Sequence, residues 1–341
     1  MNNFINVAIA GATGYIGIEL IKILSKHPNV KIKYIYAQKS IGKSIGSFSP
    51  ILKKKSLPKI SKLNSANFQD LDILFTALPN GEAQKISKKL THKLRLIDLS
   101  GDFRLINPNI YKKWYKISHK AKSLIKKSIY SLPELVNTNL MKFKIISCPG
   151  CYPTSIQIPL VPLLKRKLID AENIIIDSKS GYSGAGKNLK KRFKHADVFN
   201  STSAYAISFH KHVPEIEQQL KKISNKKINI QFTPHILPMF RGILTTIYVK
   251  SSKKINSKKI YLYLKKYYKR NYFIKVLKFN KPIGTSNVMN TNFCNISVCK
   301  SRDDRKVIIL SAIDNLIKGG SGQAVQNMNK LYGFSERNGF K

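Results

Sequence analysis

Acidic side chains are scarce in this chain of 341 residues: 17 Asp and Glu stand against 61 Lys and Arg, a formal net charge of +44. So basic a balance ordinarily points to nucleic acid or to anionic surfaces. Here the lysines run along the whole chain, without a basic tail, zinc-finger spacing or an RNA-binding aromatic signature. Drift in base composition, which raises Lys, Asn and Ile together, explains that spread, so no specific nucleic-acid partner is expected. Cysteine is also scarce. Four in a chain this long exclude a disulfide scaffold and suit a reducing, cytoplasmic setting. No apolar run approaches the ~20 residues of a membrane span, and Met1–Ala10 reads as a short strand rather than a signal peptide. The length suggests two domains.

What is present begins at the N-terminus. Ile5–Ala10 reads as a buried strand, Gly11-Ala-Thr13-Gly14-Tyr15-Ile16-Gly17 as a turn, and Ile18, Leu20, Ile21 and Leu24 recur at helical spacing. In a strand–turn–helix context such glycines let the backbone approach a pyrophosphate at a helix N-terminus, so a dinucleotide site is expected. The next strand, Lys31–Ala37, lacks the acid that would hold a ribose 2′-hydroxyl; none occurs between Glu19 and Asp70. Lys39 and Ser40 suit a 2′-phosphate instead, and NADP is expected over NAD. Leu71–Leu78 and Leu94–Leu99 read as further parallel strands with turn residues at their carboxyl ends, and Lys112–Lys127 as a basic surface helix.

A second stretch carries the chemistry. Ser147-Cys148-Pro149-Gly150-Cys151-Tyr152-Pro153-Thr154 follows the apolar run Phe143–Ile146 and reads as a strand ending in a tight turn. Pro153 suits the first turn of a helix, where its missing N–H costs nothing. Cys151 then lies at the positive end of a helix, which favours thiolate over thiol. The C-x-x-C spacing leaves a dithiol redox pair and a purely structural role open beside a single nucleophile at Cys151. Pro159 and Pro162 make a regular helix over Thr154–Leu168 doubtful.

Downstream, Gly181–Lys187 matches the start of a phosphate-binding loop without the Ser or Thr that would hold magnesium, so it reads as an oxyanion loop. His210 and His212 precede Pro214-Glu215, a helix first turn. They lack a third and fourth ligand, and no metal site is expected. Ile228–Phe232 and Gly242–Val249 read as strands, Lys253–Lys281 as a helical stretch rich in Lys and Tyr, and Phe293–Val298 and Val307–Ile313 as strands before a last helix. A nucleotide-binding half, a thiolate and a His/Glu cluster together point to hydride transfer to or from a cysteine-bound acyl group.

These residues resemble one family nearly end to end. GATGYIG (Gly11–Gly17), LIDLSGDFRL (Leu96–Leu105), YSLPEL (Tyr130–Leu135), PGCYPT (Pro149–Thr154), SGYSGAGK (Ser180–Lys187), HKHVPEIEQ (His210–Gln218), FTPHILPMFRGILTTIYV (Phe232–Val249) and AIDNLIKGGSGQAVQNMN (Ala312–Asn329) look like N-acetyl-gamma-glutamyl-phosphate reductase, a relative of aspartate-semialdehyde dehydrogenase. The resemblance implies an α/β fold, with a Rossmann-type doubly wound sheet over 1–150 completed by 314–341. An α+β substrate and dimerisation domain would span 151–313. It implies Cys151 as nucleophile, with His212, His210 and Glu215 as acid/base group and support. NADPH would be bound by Gly11, Thr13, Gly14, Tyr15, Ile16, Gly17, Lys39, Ser40, Ser183, Gly184, Asn315, Lys318 and Gly319. Arg104, Ser180 and Arg241 would contact an acyl-phosphate substrate, in a homodimer or homotetramer. Cys148, Ser155, Asn80 and Pro159 depart from the family pattern, where Asn, a small Gly or Ala, and His are usual at the first three. Aspartyl or carrier-linked aminoadipyl phosphate remain alternative substrates, and a basic nucleic-acid-binding role a remote one.

Overall fold

The computed structural model describes residues 4–63, 68–187, 197–252 and 255–340. They form two compact units, Met1–Gly150 with Gly320–Lys341, and Cys151–Gly319.

The first unit is built on seven strands: β1 (Ile5–Ala10), β2 (Val30–Tyr36), β3 (Ile60–Ser61), β4 (Ile73–Thr76), β5 (Arg95–Asp98), β6 (Ser128–Tyr130) and β7 (Ile145–Ser147). All pair in parallel, in the order β3-β2-β1-β4-β5-β7-β6. A parallel sheet is buried on both faces, which is why β1 and β4 are mostly apolar; Val7, Ala8, Ile9, Ile73, Leu74 and Phe75 have no exposed surface. The order reverses between β1 and β4, the switch point at which such sheets bind ligands. Helices α1 (Tyr15–Leu24), α2 (Glu82–Ser87), α3 (Pro108–Tyr115) and α4 (Lys122–Ile125) join the strands. The single helix expected over Lys112–Lys127 is corrected. Asn107 caps α3, and Lys116, with φ of 61°, ends it after eight residues. Trp114 packs on the cluster of Leu105, Tyr111 and Tyr115.

The second unit runs through α5 (Cys151–Lys165), β8 (Ile174–Gly181), β9 (Ser203–Ala204), α6 (Val213–Ser224), β10 (Ile230–Leu237), β11 (Ile243–Lys250), α7 (Ser257–Tyr267), β12 (Ile274–Val276), β13 (Cys294–Lys300) and β14 (Lys306–Ile313). The chain leaves this unit through a π turn, Ile317–Ser321, and its last helix, α8 (Gly322–Tyr332), belongs to the first unit, where it packs on α1. The second sheet is mixed, in the order β12-β13-β14-β11-β8-β10-β9. β8, β10 and β11 alternate buried and accessible residues, as strands packed by helices on one face do. On the other face Ile175 and Tyr248 remain 48% and 43% exposed. Two expected elements change length. Lys253–Lys281, of which 253 and 254 lie outside the described residues, is helical only as α7 and then turns into β12. The strand expected at Ile228–Phe232 continues as β10 to Leu237.

Helix α5 corrects the doubt over Thr154–Leu168: it is continuous despite Pro159 and Pro162. Each interior proline costs about 3 kcal/mol. Against that, Tyr152, Ile156, Ile158, Leu160, Val161, Leu163 and Leu164 are all buried, at about 1.5–3 kcal/mol each. Tertiary burial therefore outweighs local propensity. The carbonyl of Ile158, which Pro162 cannot serve, accepts the Tyr268 hydroxyl instead. Among the described residues no helix is long and apolar enough to cross a membrane.

Candidate active site

At the carboxyl end of β1, Gly11 has φ of 87°, and a Cβ there would fall 2.2 Å from the Ala77 carbonyl oxygen after β4. Only glycine fits. A Cβ on Gly17 would fall 2.3 Å from the Gly11 oxygen, so the turn is pressed against the start of α1. Gly14 is the N-cap of α1, with no side-chain cap and no acid in the first turn. Gly11, Thr13, Gly14, Tyr15 and Ile16 are partly accessible. An uncapped, acid-free helix start behind a glycine turn fits a dinucleotide pyrophosphate. Lys39 and Ser40 lie in the accessible turn after β2, Ser40 at φ of 66°.

The carboxyl ends of β5 and β7 hold a buried polar network. Asp98 accepts from Thr76 Oγ1, Ser100 N and Ser100 Oγ; burial, reinforced by the charge of Asp102, pushes its carboxyl up to about 6. Asp102 accepts from Gly81 N, Gln84 and Tyr111, and Asn80 Oδ1 accepts from Gly101 N. Arg104 is 8% exposed, and its guanidinium donates to the carbonyls of Cys148 and Leu99, holding the strand ends together.

The two cysteines of the turn differ sharply. Cys148 is fully buried, with Asn327 Nδ2 donating to its sulfur at 3.6 Å. Burial pushes its thiol up to about 12. That sulfur stays a neutral thiol, which argues against a dithiol centre. Cys151 is partly accessible and is the first residue of α5.

Tyr152, next in the chain, packs edge-on against both imidazoles, with centroid distances of 5.4 Å to His210 and 5.9 Å to His212; the two histidine rings are 4.8 Å apart. The histidines lie in the turn entering α6, with His212 as its N-cap, rather than on an extended segment. His210 Nδ1 accepts from the His212 backbone N–H at 3.1 Å. In the neutral ring the proton is therefore on Nε2, which faces Tyr205 Oη at 3.5 Å. Tyr205 donates to Tyr152 Oη at 3.1 Å, and Tyr152 to the His235 carbonyl at 3.3 Å. The relay has one polarity, from His210 through two phenols to a carbonyl. Burial, aided by Tyr205, holds the Tyr152 hydroxyl well above its ordinary range, so it remains a donor. Glu215 is fully buried at the start of α6.

The loops around this cluster are tied down within the second unit. Ser180 Oγ donates to the Gly181 carbonyl. Ser183 Oγ accepts from Asn315 Nδ2, while Asn315 Oδ1 accepts from Gly242 N at 2.7 Å. A Cβ on Gly184 would lie 3.2 Å from Ser180 Oγ. Asp314, fully buried, accepts from Leu316 N and Ile317 N on one oxygen and from Asn290 N and Arg241 Nη1 on the other. Arg241 is thus engaged by a carboxylate at 3.1 Å. Any anion it meets would use its remaining donors. Lys318 is fully buried, its ammonium 5.7 Å from the Phe273 ring centroid. Gly319 lies directly against Cys151. Sequence reasoning singled out neither Asp314 nor Tyr205: the first sits inside a quoted motif without a distinguishing pattern, the second in an irregular loop.

Comparison with known proteins covers both units. The semialdehyde dehydrogenase NAD binding domain matches residues 6–143, and the semialdehyde dehydrogenase dimerisation domain residues 151–315. A crystal structure of aspartate semialdehyde dehydrogenase II from Vibrio cholerae shares the fold, with a TM-score of 0.73 at 16% identity over 96% of this chain and 98% of that one. The probable chloroplastic N-acetyl-gamma-glutamyl-phosphate reductase of Arabidopsis thaliana is 42% identical, covering 98% of this chain and 84% of its own length. The N-acetyl-gamma-glutamyl-phosphate reductase of Thermoanaerobacter pseudethanolicus is 42% identical over 97% of this chain and 96% of its own length, and that of Ehrlichia canis 39% over 99% and 97%. Similarity of that depth over the whole length places this chain in the N-acetyl-gamma-glutamyl-phosphate reductase family.

Proposed function

We propose that this chain reduces N-acetyl-L-glutamyl 5-phosphate to N-acetyl-L-glutamate 5-semialdehyde, with NADPH as reductant and release of phosphate through a cysteine thioester. The observation that carries the reading is Cys151 at the first position of α5, with His210 and His212 packed edge-on against its neighbour Tyr152. The helix N-terminus favours the thiolate, which attacks the acyl carbon; the C–O bond to phosphate breaks and a thioester forms. When bound, NADPH supplies the hydride that the thioester carbonyl takes up. The oxyanion left on the former carbonyl oxygen is protonated by an imidazolium, giving a thiohemiacetal; the imidazole so formed takes the hydroxyl proton back as the C–S bond breaks, returning the thiolate and freeing the aldehyde. We assign that acid/base step to His212, since both ring nitrogens of His210 are already engaged by the His212 amide and Tyr205. His210 and Glu215 are its support.

Dinucleotide binding belongs to the first unit, through Gly11, Thr13, Gly14, Tyr15, Ile16 and Gly17, with Lys39 and Ser40 selecting the 2′-phosphate. Substrate contact falls to Arg104, Ser180 and Arg241, and Ser183, Gly184, Asn315, Lys318 and Gly319 are the further cofactor contacts. The accessible face of the second sheet, where Ile175 and Tyr248 are exposed, suits pairing with a second copy of the chain, in keeping with the dimerisation-domain match. Four free cysteines suit a reducing compartment such as the cytoplasm.

The test is NADPH oxidation with N-acetyl-glutamyl phosphate, run beside NADH and beside aspartyl phosphate. Turnover is expected to be fastest with the first pair, and His212→Asn to lower kcat by about 10²–10⁴-fold. Faster turnover of aspartyl phosphate would overturn the substrate assignment. Light scattering on the intact chain would find twice the monomer mass or more if the open face is an interface.

A further inference from the structure

Three buried hydroxyls connect the turn that carries Cys151 to the second sheet. Ser155 Oγ donates to the Tyr152 carbonyl at 2.9 Å and pairs with Thr245 Oγ1 at 2.8 Å; Thr245 Oγ1 pairs with Ser178 Oγ at 2.9 Å. All three residues have no exposed surface. Each hydroxyl has one proton. Because Ser155 gives its proton to Tyr152, Thr245 must donate to Ser155, and Ser178 to Thr245. The chain therefore has a single direction, from β8 through β11 into the first turn of α5, and it ends on the carbonyl of the residue beside the nucleophile.

The same turn is weakened from the other side. Pro159 has no N–H to give the Ser155 carbonyl four residues earlier, and its ring crowds that carbonyl. A helix that loses this bond close to its start is prone to bend there. The hydroxyl chain grips the turn where the proline loosens it.

Resting on the reductase reading above, we propose that Ser155, through Thr245 and Ser178, is a positioning residue that offsets Pro159 and holds the Cys151 sulfur in its reactive place. Ser155 touches neither substrate nor cofactor in this account. Its effect passes through the Tyr152 carbonyl and the helix start. The prediction that separates this role from ordinary packing is epistasis: the hydroxyl matters while Pro159 is present and matters little once an N–H is restored.

The experiment compares Ser155→Ala, Pro159→Ala, the double variant, and the pair Thr245→Val and Thr245→Ser. Each is assayed for kcat and KM and for the pH dependence of iodoacetamide alkylation at Cys151, read by peptide mass spectrometry. Alkylation needs neither NADPH nor acyl phosphate, so it reports on the positioning even if the substrate assignment is wrong. Ser155→Ala is expected to lower kcat and the alkylation rate together by about tenfold, with KM changed less than about twofold, since small misplacements of reacting groups are costly. In the Pro159→Ala background the loss should shrink to about twofold or less. Thr245→Val should behave as Ser155→Ala, and Thr245→Ser, which keeps the hydroxyl, as the parent. Equal losses in both proline backgrounds, or an unchanged alkylation profile in folded Ser155→Ala, overturn the proposal. Should Ser155→Ala not fold, the Thr245 pair decides: equal behaviour of Val and Ser overturns it, and loss with Val alone supports it.

Discussion

A Cβ on Gly319 would sit 2.6 Å from the Cβ of Cys151 and 3.1 Å from its Cα. No side chain is accommodated at that distance, so the nucleophile is seated against bare backbone. The contact is held by Asp314, whose carbonyl accepts from Gly319 N at 2.9 Å and whose carboxylate organises the turn leading there. Gly319→Ala must therefore displace the start of α5 or the loop itself. The expected outcome is a loss of about 100-fold or more in kcat, by misplacement of the sulfur. Circular dichroism should show the secondary structure kept. An alanine variant with near-parent kcat would mean that the sulfur's place does not depend on this contact.

The two cysteines of the turn give the next test. Cys148 is sealed, and burial pushes its thiol up to about 12, while Cys151 is partly accessible at a helix N-terminus. Cys151→Ser is expected to abolish acyl-phosphate reduction, and Cys148→Ser to leave kcat within about threefold, because a neutral buried thiol takes no part in attack. Alkylation of the folded parent between pH 6 and pH 9 should leave Cys148 unlabelled. Labelling there, or loss of turnover in the Cys148 variant alone, would reverse the assignment.

The glycine turn and the cysteine turn were both legible in the sequence, because each depends on a local steric rule: Gly11 needs a positive φ, and Pro149-Gly150 breaks a strand just before a helix. Cys151 stood out in the sequence too, by its place at a helix start; that Cys148 is sealed is a matter of burial, which two residues three apart do not announce. The Ser155–Thr245–Ser178 chain could not be read at all, since it depends on register between elements separated by 67 and 90 residues. Short strands such as β3 and β6 carry two or three residues and no periodicity. Helix α5 was misjudged for the opposite reason: its prolines are a strong local signal that burial overrides.

Asp98 ties stability to pH. Its folded-state carboxyl titrates near 6, raised by burial first and by Asp102 second, against about 3.9 for an exposed aspartate. The folded protein thus holds this proton more tightly than the unfolded chain. The stabilising contribution is complete below about pH 4 and is lost as pH climbs through 6. Asp98→Asn cannot titrate. The stability of the parent relative to this variant should therefore fall between pH 4 and pH 7, and level off above that. Urea titrations at four pH values would measure it. A difference that is flat, or that rises with pH, would place the proton elsewhere in the network.

The second proline of α5 leads to a different experiment. Pro162 cannot donate to the Ile158 carbonyl, and the Tyr268 hydroxyl beyond α7 takes that place. Both Ile158 and Tyr268 are buried, so Tyr268→Phe leaves a carbonyl oxygen without a donor and without water. The cost is about 1–3 kcal/mol. Pro162→Ala restores an N–H four residues along the helix from Ile158, which can then serve that oxygen. The same Tyr268→Phe change should cost less in the Pro162→Ala background, and the two changes should be non-additive by about 1 kcal/mol or more. Activity should barely move in either background, because Ile158 lies two turns from Cys151 and outside the hydroxyl chain. Additive stabilities in chemical denaturation would show that Tyr268 contributes packing alone.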